Sequence, residues 1–255
     1  MKILVSNDDS INSEGIKILV EYLKNANYEV DVVAPFEEAS GTGHGVTLHK
    51  PIRITKHYNT TNNDFFGYGI TGLPADCIKI GVSHLFSEKK YDYIISGINR
   101  GENTGSDVIY SGTVAAAAEG ALQGIKSIAI SAQAINGKSN YNLAAKFLIR
   151  YLEKINNIDF PENTFLNINV PHEVNDDLNK YVYTNQGNKR YVDKIIENTD
   201  PQGNRYYWLG IDFKKEDNVE NYDSTVLKNR AISVTPINLN LTDYNFLELL
   251  KRKEK

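Results

Sequence analysis

At 255 residues the chain is long enough to bury about 70–75% of its unfolded surface, so one large α/β domain, or a core with an extension, is sufficient. Its 28 basic and 32 acidic residues give a net charge of −4, which offers no basic footprint for a nucleic-acid duplex and favours a small soluble substrate. The single cysteine, Cys77, excludes an intrachain disulfide and a thiolate zinc site and fits a reducing cytoplasm. The apolar start meets Asp8 and Asp9 too early for a signal-peptide core, and no apolar run approaches the roughly 18 residues of a membrane span. The expectation is a cytoplasmic protein with no membrane partner.

Ile3-Leu4-Val5 reads as a buried strand that stops abruptly at Asn7-Asp8-Asp9. Residues 13–25 carry Ile16, Ile18, Leu19, Tyr22 and Leu23 at helical spacing, and residues 29–34 read as a second buried strand. Strand, helix, strand at this length is the βαβ unit of a parallel sheet. A loop follows with Ser40 and glycines at 41, 43 and 45. Residues 46–56 and 65–70 are predicted to pair across the polar turn at 59–64. A helix is expected from Gly72-Leu73-Pro74-Ala75-Asp76, and a strand over 91–96 that runs into a glycine-punctuated loop from Gly97 to Asp107. Tyr110-Ser111-Gly112-Thr113 then leads into an alanine-rich helix at 114–122. Residues 125–132 and 165–170 read as strands, with an amphipathic helix at 141–155 between them.

Beyond Tyr181 the texture changes to mixed polar and aromatic residues. Asp200-Pro201-Gln202-Gly203-Asn204 is a strong turn, with 205–211 as its returning strand, so a projecting hairpin is expected. Many of the 16 tyrosines lie there, which suggests an aromatic surface buried between subunits. A last strand at 231–237 precedes a short helix from Thr242, and the closing Lys251-Arg252-Lys253-Glu254-Lys255 run reads as a solvated helix end. The predicted organisation is a Rossmann-like core at 1–180, an arm at 181–230, and a C-terminal strand and helix at 231–255.

In doubly wound sheets ligands sit beyond the carboxyl ends of the strands, where strand order reverses. Asn7-Asp8-Asp9, Ser40 and Asn99 all occupy strand-end positions of that kind. Two carboxylates held close together raise each other's pKa unless a cation lies between them. Asp8, Asp9, the Ser40 hydroxyl and the Asn99 carbonyl form an all-oxygen set, which suits Mg²⁺, Mn²⁺ or Ca²⁺ better than zinc or copper. An Asn-Asp-Asp after a strand is also a common solvated turn that caps the next helix. The histidines at 44, 49, 57, 84 and 172 show no HExxH arrangement, and His44 in the glycine loop is the one with a site-like setting. Ser111 and Thr113 at a helix start make a phosphate cradle with the free N–H groups there, although Ser111 can equally be a plain N-cap. Dinucleotide, P-loop and Gly-x-Ser-x-Gly signatures are absent from the sequence.

Taken together, Asn7-Asp8-Asp9, Ser40-Gly41, Thr71-Gly72-Leu73-Pro74-Ala75-Asp76-Cys77, Ser96-Gly97-Ile98-Asn99-Arg100-Gly101-Glu102-Asn103 and Tyr110-Ser111-Gly112-Thr113 closely resemble the SurE (survival protein E) family, in order, over nearly the whole chain. The resemblance implies an α/β, Rossmann-like, mostly parallel sheet flanked by helices, with a C-terminal β-hairpin arm and a swapped C-terminal segment that build homodimers or homotetramers. It implies a divalent-metal-dependent phosphatase that hydrolyses nucleoside 5′- and 3′-monophosphates, and short polyphosphate as well. One Mg²⁺ or Mn²⁺ is implied on Asp8, Asp9, Ser40 and Asn99, with Asp8 and Asp9 also catalytic. Asn7, Gly41, Asn103, Ser111, Gly112 and Thr113 are implied as substrate contacts. Three positions depart from the family's pattern: Ser10 where glycine is usual, Leu73 where a small or polar residue is usual, and Asn238 where histidine is usual. A non-catalytic nucleotide-binding regulator and an assembly protein built on the hairpin are the competing readings.

Overall fold

The computed structural model describes residues 1–255 except 60–62, 175–177, 179, 189, 216–218, 254 and 255, and gives only the backbone at 190–193 and 211–215. The middle of the expected turn at 59–64 and the last two residues of the closing basic run therefore lie outside the described residues.

The elements in chain order are β1 (Lys2–Ser6), α1 (Glu14–Asn25), β2 (Glu29–Pro35), β3 (Ile54–Tyr58), β4 (Phe65–Ile70), α2 (Pro74–Ile80), β5 (Tyr93–Arg100), α3 (Asp107–Tyr110), α4 (Gly112–Leu122) and β6 (Lys126–Ala132). They continue with β7 (Ala134–Ile135), β8 (Lys138–Ser139), α5 (Tyr141–Ile155), β9 (Thr164–Val170), β10 (Tyr181–Tyr183), β11 (Arg190–Thr199), β12 (Arg205–Lys215), α6 (Asp223–Lys228), β13 (Ile232–Asn238) and α7 (Tyr244–Lys253).

The main sheet runs β10-β13-β9-β6-β5-β1-β2-β4-β3. β1 is parallel to both β2 and β5, and the parallel set extends through β6 to β9 and through β2 to β4. Strands buried on both faces must be apolar at consecutive positions, and Ile3, Leu4 and Val5 are each 0% exposed. Alternate side chains then serve opposite layers. Ile3 and Val5 join the core of α1 and α5, whereas Leu4 packs with Cys77, Ile78 and Ala116 of α2 and α4.

From β1 the order passes outward to β2 and β4 on one side and to β5, β6 and β9 on the other. The reversal between β1 and β5 is the topological switch point, and a crevice opens there beyond the carboxyl ends.

The strand expected from residue 46 begins only at Ile54. Before it, Thr47 N–H donates to the Asp76 carboxylate, so its donor goes to a side chain and not to a strand ladder. The stretch 181–230 divides into three parts. β10 is hydrogen-bonded to β13 within the main sheet, α6 packs on β13 and β9, and β11 and β12 form a separate antiparallel hairpin. β13 runs antiparallel to β9 and pairs with β10 only as far as Val234. Its later residues are an edge, which tolerates Pro236.

Candidate active site

β1 ends at Ser6 because the chain turns there, and Asn7 makes the turn. The Asn7 amide nitrogen donates to Ser10 O and Ser13 Oγ, both at 2.8 Å. Ser10 sits at φ 80°, a left-handed conformation that costs a residue with a Cβ about 1–2 kcal/mol. The turn expected with glycine thus survives with serine, held by Asn7. Asn7 is 0% exposed and acts as a turn clamp. Its amide hydrogens are spent inside the turn, whereas its buried Oδ1 has no hydrogen-bond partner among the described residues.

Four segments are tied together around the carboxylates that follow. Thr113 Oγ1 donates to Asp8 Oδ1, and the Thr113 backbone N–H also serves the Asp8 carboxylate. A Cβ at Gly112 would lie 2.8 Å from Asp8 Cβ, so glycine lets the start of α4 close onto Asp8. Arg100 N–H donates to Asp9 Oδ2 at 3.0 Å, which fastens the end of β5 beside Asp9. Ala39 N–H donates to Asp8 O at 2.8 Å and brings the Ser40 loop alongside.

Burial pushes the Asp8 carboxyl up to about 6, with the Asp9 charge adding to the rise and the Thr113 hydrogen bond opposing it. Asp9 is raised as well, chiefly by burial and against the pull of Arg100. The Asn99 amide nitrogen donates to Gly101 O at 2.8 Å, which commits its N–H side and leaves Oδ1 as the atom that could accept or ligate. The exposed Ser40 directs its hydroxyl hydrogen to Glu38 Oε1 at 2.9 Å, so its oxygen can still accept. Two raised carboxylates with amide and hydroxyl oxygens nearby fit a hard divalent cation. Among the described residues there is no group of three or more His, Cys, Asp or Glu suited to a metal, so any such site depends on the serine and asparagine oxygens.

The remaining expected contacts divide. Ser111 is the N-cap of α4, with Oγ accepting from Val114 N–H at 3.1 Å. Asn103 is buried, and its amide nitrogen donates to Ser131 Oγ at 2.9 Å. Gly41, at φ 73°, has open space about it on an exposed loop. His44 is an anchor for the glycine loop: Nε2 lies 3.1 Å from Glu119 Oε2, and Lys79 Nζ lies 2.7 Å from Glu119 Oε1. Burial alone would raise Glu119, but the bonds from His44, Lys79 and Gln123 prevail and hold it at about 2. Leu73 packs at the same loop, within 3.0 Å of where a Gly45 Cβ would stand. Asn238 donates to Thr164 Oγ1 at 3.0 Å, at the amino end of β9 and so at the edge of the sheet opposite the site within one chain.

A cleft of about 520 Å³ opens on Asp9 and is lined in part by Glu38, Arg100, Lys138 and Tyr141. A second, of about 580 Å³, lies on the other side of Glu38 and is lined by Phe36, Leu48, His49 and Leu73 among others. Among the described residues no helix is long and apolar enough to cross a membrane.

A family model described as "Survival protein SurE" matches residues 3–193. A protein of Petrotoga mobilis named "5'-nucleotidase SurE" is 42% identical over 251 residues, covering 98% of each chain. One of the same name from Geotalea uraniireducens is 42% identical over 253 residues, covering 99% of this chain and 98% of its own. The crystal structure of the SurE protein from Aquifex aeolicus superposes with a TM-score of 0.82 at 35% identity, over all of both chains. The chain belongs to the SurE family.

Proposed function

We propose that this chain is a divalent-metal-dependent 5′-nucleotidase, hydrolysing a nucleoside 5′-monophosphate to nucleoside and phosphate. The observation that carries the reading is the bonding of four segments at the switch point: Thr113 at the start of α4 holds Asp8, Arg100 at the end of β5 holds Asp9, and Ala39 N–H ties the Ser40 loop to Asp8 O. A helix N-terminus, which favours phosphate, thereby faces a pair of carboxylates, which favours a cation. Relatives about 40% identical over nearly the full chain are named 5′-nucleotidases, and their common name supports the same activity here.

Asp8, Asp9, Asn99 Oδ1 and Ser40 Oγ would hold one Mg²⁺ or Mn²⁺. When bound, such an ion supplies charge neutralisation at a phosphate oxygen and acidifies water. The residues of the chain do the rest by placement, as phosphoryl transfer requires. Thr113 fixes the Asp8 carboxylate in one orientation. The first turn of α4 orients the phosphate through the Gly112 N–H, since the Thr113 N–H serves Asp8, the Val114 N–H serves the Ser111 cap and the Ser111 N–H serves Asp107 O. Asn103 adds a side-chain donor through the second hydrogen of its amide. The attacking water loses its proton to Asp8 Oδ2 or Asp9 Oδ1, the oxygens left after Thr113 and Arg100 have taken the others. Homodimer or homotetramer formation through the hairpin, and a cytoplasmic setting consistent with the lone buried Cys77, complete the reading.

The test is phosphate release from a panel of nucleoside 5′- and 3′-monophosphates and short polyphosphate, with Mn²⁺ or Mg²⁺ and then with chelator. Release from 5′-monophosphates that stops on chelation is expected. Tight binding of the same nucleotides without turnover would instead favour the non-catalytic regulator.

A further inference from the structure

The loop between β5 and α4 carries Asn103, and residues from distant segments grip it. Asn103 N–H donates to Asn169 Oδ1 at 2.7 Å, while Asn103 O accepts from Asn167 Nδ2 at 2.8 Å and from Asn169 Nδ2 at 3.1 Å. Two residues on, Gly105 N–H donates to Asp223 Oδ2 at 3.0 Å, and Gly105 O accepts from Gln186 Nε2 at 2.8 Å. Asp223 Oδ1 accepts from Gly187 N–H at 2.9 Å and Ser224 N–H at 2.7 Å. A Cβ at Gly187 would stand 2.9 Å from that oxygen, so glycine permits the approach. Asp223 is 0% exposed and belongs to α6, on the far side of the hairpin from Gln186.

We propose that Asp223 is a positioning residue for the reaction, its buried carboxylate setting Gly105 and thereby the Asn103 side chain at the height where α4 receives a phosphate. The inference rests on the reading of Asn103 as a phosphate contact. A carboxylate is suited to the task because it only accepts, on two oxygens, and three backbone N–H groups converge on it. An amide in its place would turn an NH₂ group toward one of those donors and leave that donor unmatched. Gly105 also lies two residues before α3, whose Asp107 O accepts from Ser111 N–H at 3.0 Å. Displacement at Gly105 therefore acts on both sides of the phosphate position, on Asn103 and on the cap of α4. Gln186 and Asp223 also form the base of the hairpin, so the clasp links the arm to the site.

The test compares kcat and KM for AMP with Mn²⁺, inhibition by inorganic phosphate, Mn²⁺ affinity and thermal stability in the full chain. For Asp223→Asn, KM and the phosphate inhibition constant should rise on the order of tenfold, the range of losses when a group orienting a site residue is removed. Mn²⁺ affinity should stay within about twofold, because Asp8, Asp9 and Ser40 lie on other loops and Asn99 is held within β5, six residues before Gly105. Gln186→Leu should move the same constants in the same direction by less. A lowered melting temperature with unchanged KM and phosphate inhibition overturns the proposal, as does an equal loss of Mn²⁺ affinity. If Asp223→Asn does not fold, Gln186→Leu decides by the same criteria. Asn103→Ala separates the two readings: no change there removes the role of Asn103, whereas a change there with none from Asp223→Asn removes only the positioning role.

Discussion

The crevice between β1 and β5 and the periphery formed by β11, β12 and α7 solve opposite problems. In the crevice, Asp8 and Thr113 are buried and bonded to each other, and each strand-end loop is tied to a neighbour within the same chain. At the periphery, Ile195 and Ile196 face Leu209 and Trp208 across the hairpin, and all four remain exposed, Leu209 by 79%. α7 likewise leaves Phe246, Leu249 and Leu250 exposed, with Leu241 ahead of it at 92%. Apolar surface of that kind marks an interaction face. One chain brings the proposed site's side chains together, whereas this apolar surface is left uncovered, and on the proposed reading a second copy covers it.

The sharpest test of that division is Asp8→Ala. It should lower kcat for AMP on the order of 100-fold or more, the usual loss for a preorganised charged group, without altering the size of the particle in light scattering. Next in size, Trp208→Asp together with Leu209→Asp should reduce a dimer or tetramer to smaller species, while kcat per chain stays within about threefold, since surface substitutions away from a site seldom cost more. A kcat that falls in step with particle size would break the comparison and make the site a property of the assembly.

A third test uses pH. The folded pKa of Asp8, about 6, lies above its ordinary value of 3.8. The stability associated with this group is therefore full below about pH 3.8 and declines as pH rises through about 6. In chelator, the melting temperature of Asp8→Asn should gain on wild type between pH 5 and pH 8, and Mn²⁺ affinity of the wild type should weaken as pH falls through 6. Smallest of all, Ser10→Gly should stabilise the chain by about 1 kcal/mol, because it relieves a left-handed residue with a Cβ. Urea denaturation with and without Mn²⁺ would show it.

The parallel core was readable because burial on both faces forces runs such as Ile3-Leu4-Val5, and because α1 repeats its apolar residues every three or four positions. The acidic pair alone reads as well as a solvated turn; it becomes readable as chemistry beside the Ser40 and Asn99 oxygens at other strand ends, the helix start at Ser111 and the family resemblance. What escaped depended on partners far away in the chain. β10 is three residues long and is defined by its pairing to β13, so no periodicity announces it. Asn136-Gly137 is a strong two-residue hairpin signal in the sequence; both residues have positive φ and join β7 to β8 at the rim of the Asp9 cleft. Asn167 and Asn169 sit two apart in an apolar strand, hence on one face, and that spacing was the available clue to the grip on Asn103. Glu119 within an alanine-rich helix is a similar clue, since a carboxylate at a buried position needs hydrogen-bond donors such as those that His44 and Lys79 supply. Asp223 had none, because its three donors come from parts of the chain that only folding brings together.

The central place of β1 has a consequence for how the molecule is made. Asp9 waits 91 residues for Arg100, and Asp8 waits 105 for Thr113. During synthesis the acidic turn leaves the ribosome well before either partner exists, and closing loops of that length slows folding more than it weakens the result. On the proposed reading, capture of metal is therefore a late event in the life of a nascent chain: Asn99 arrives only with β5 and the Thr113 that fixes Asp8 only with α4, so a chain cut short before that helix has the ligand oxygens without the bond that sets Asp8.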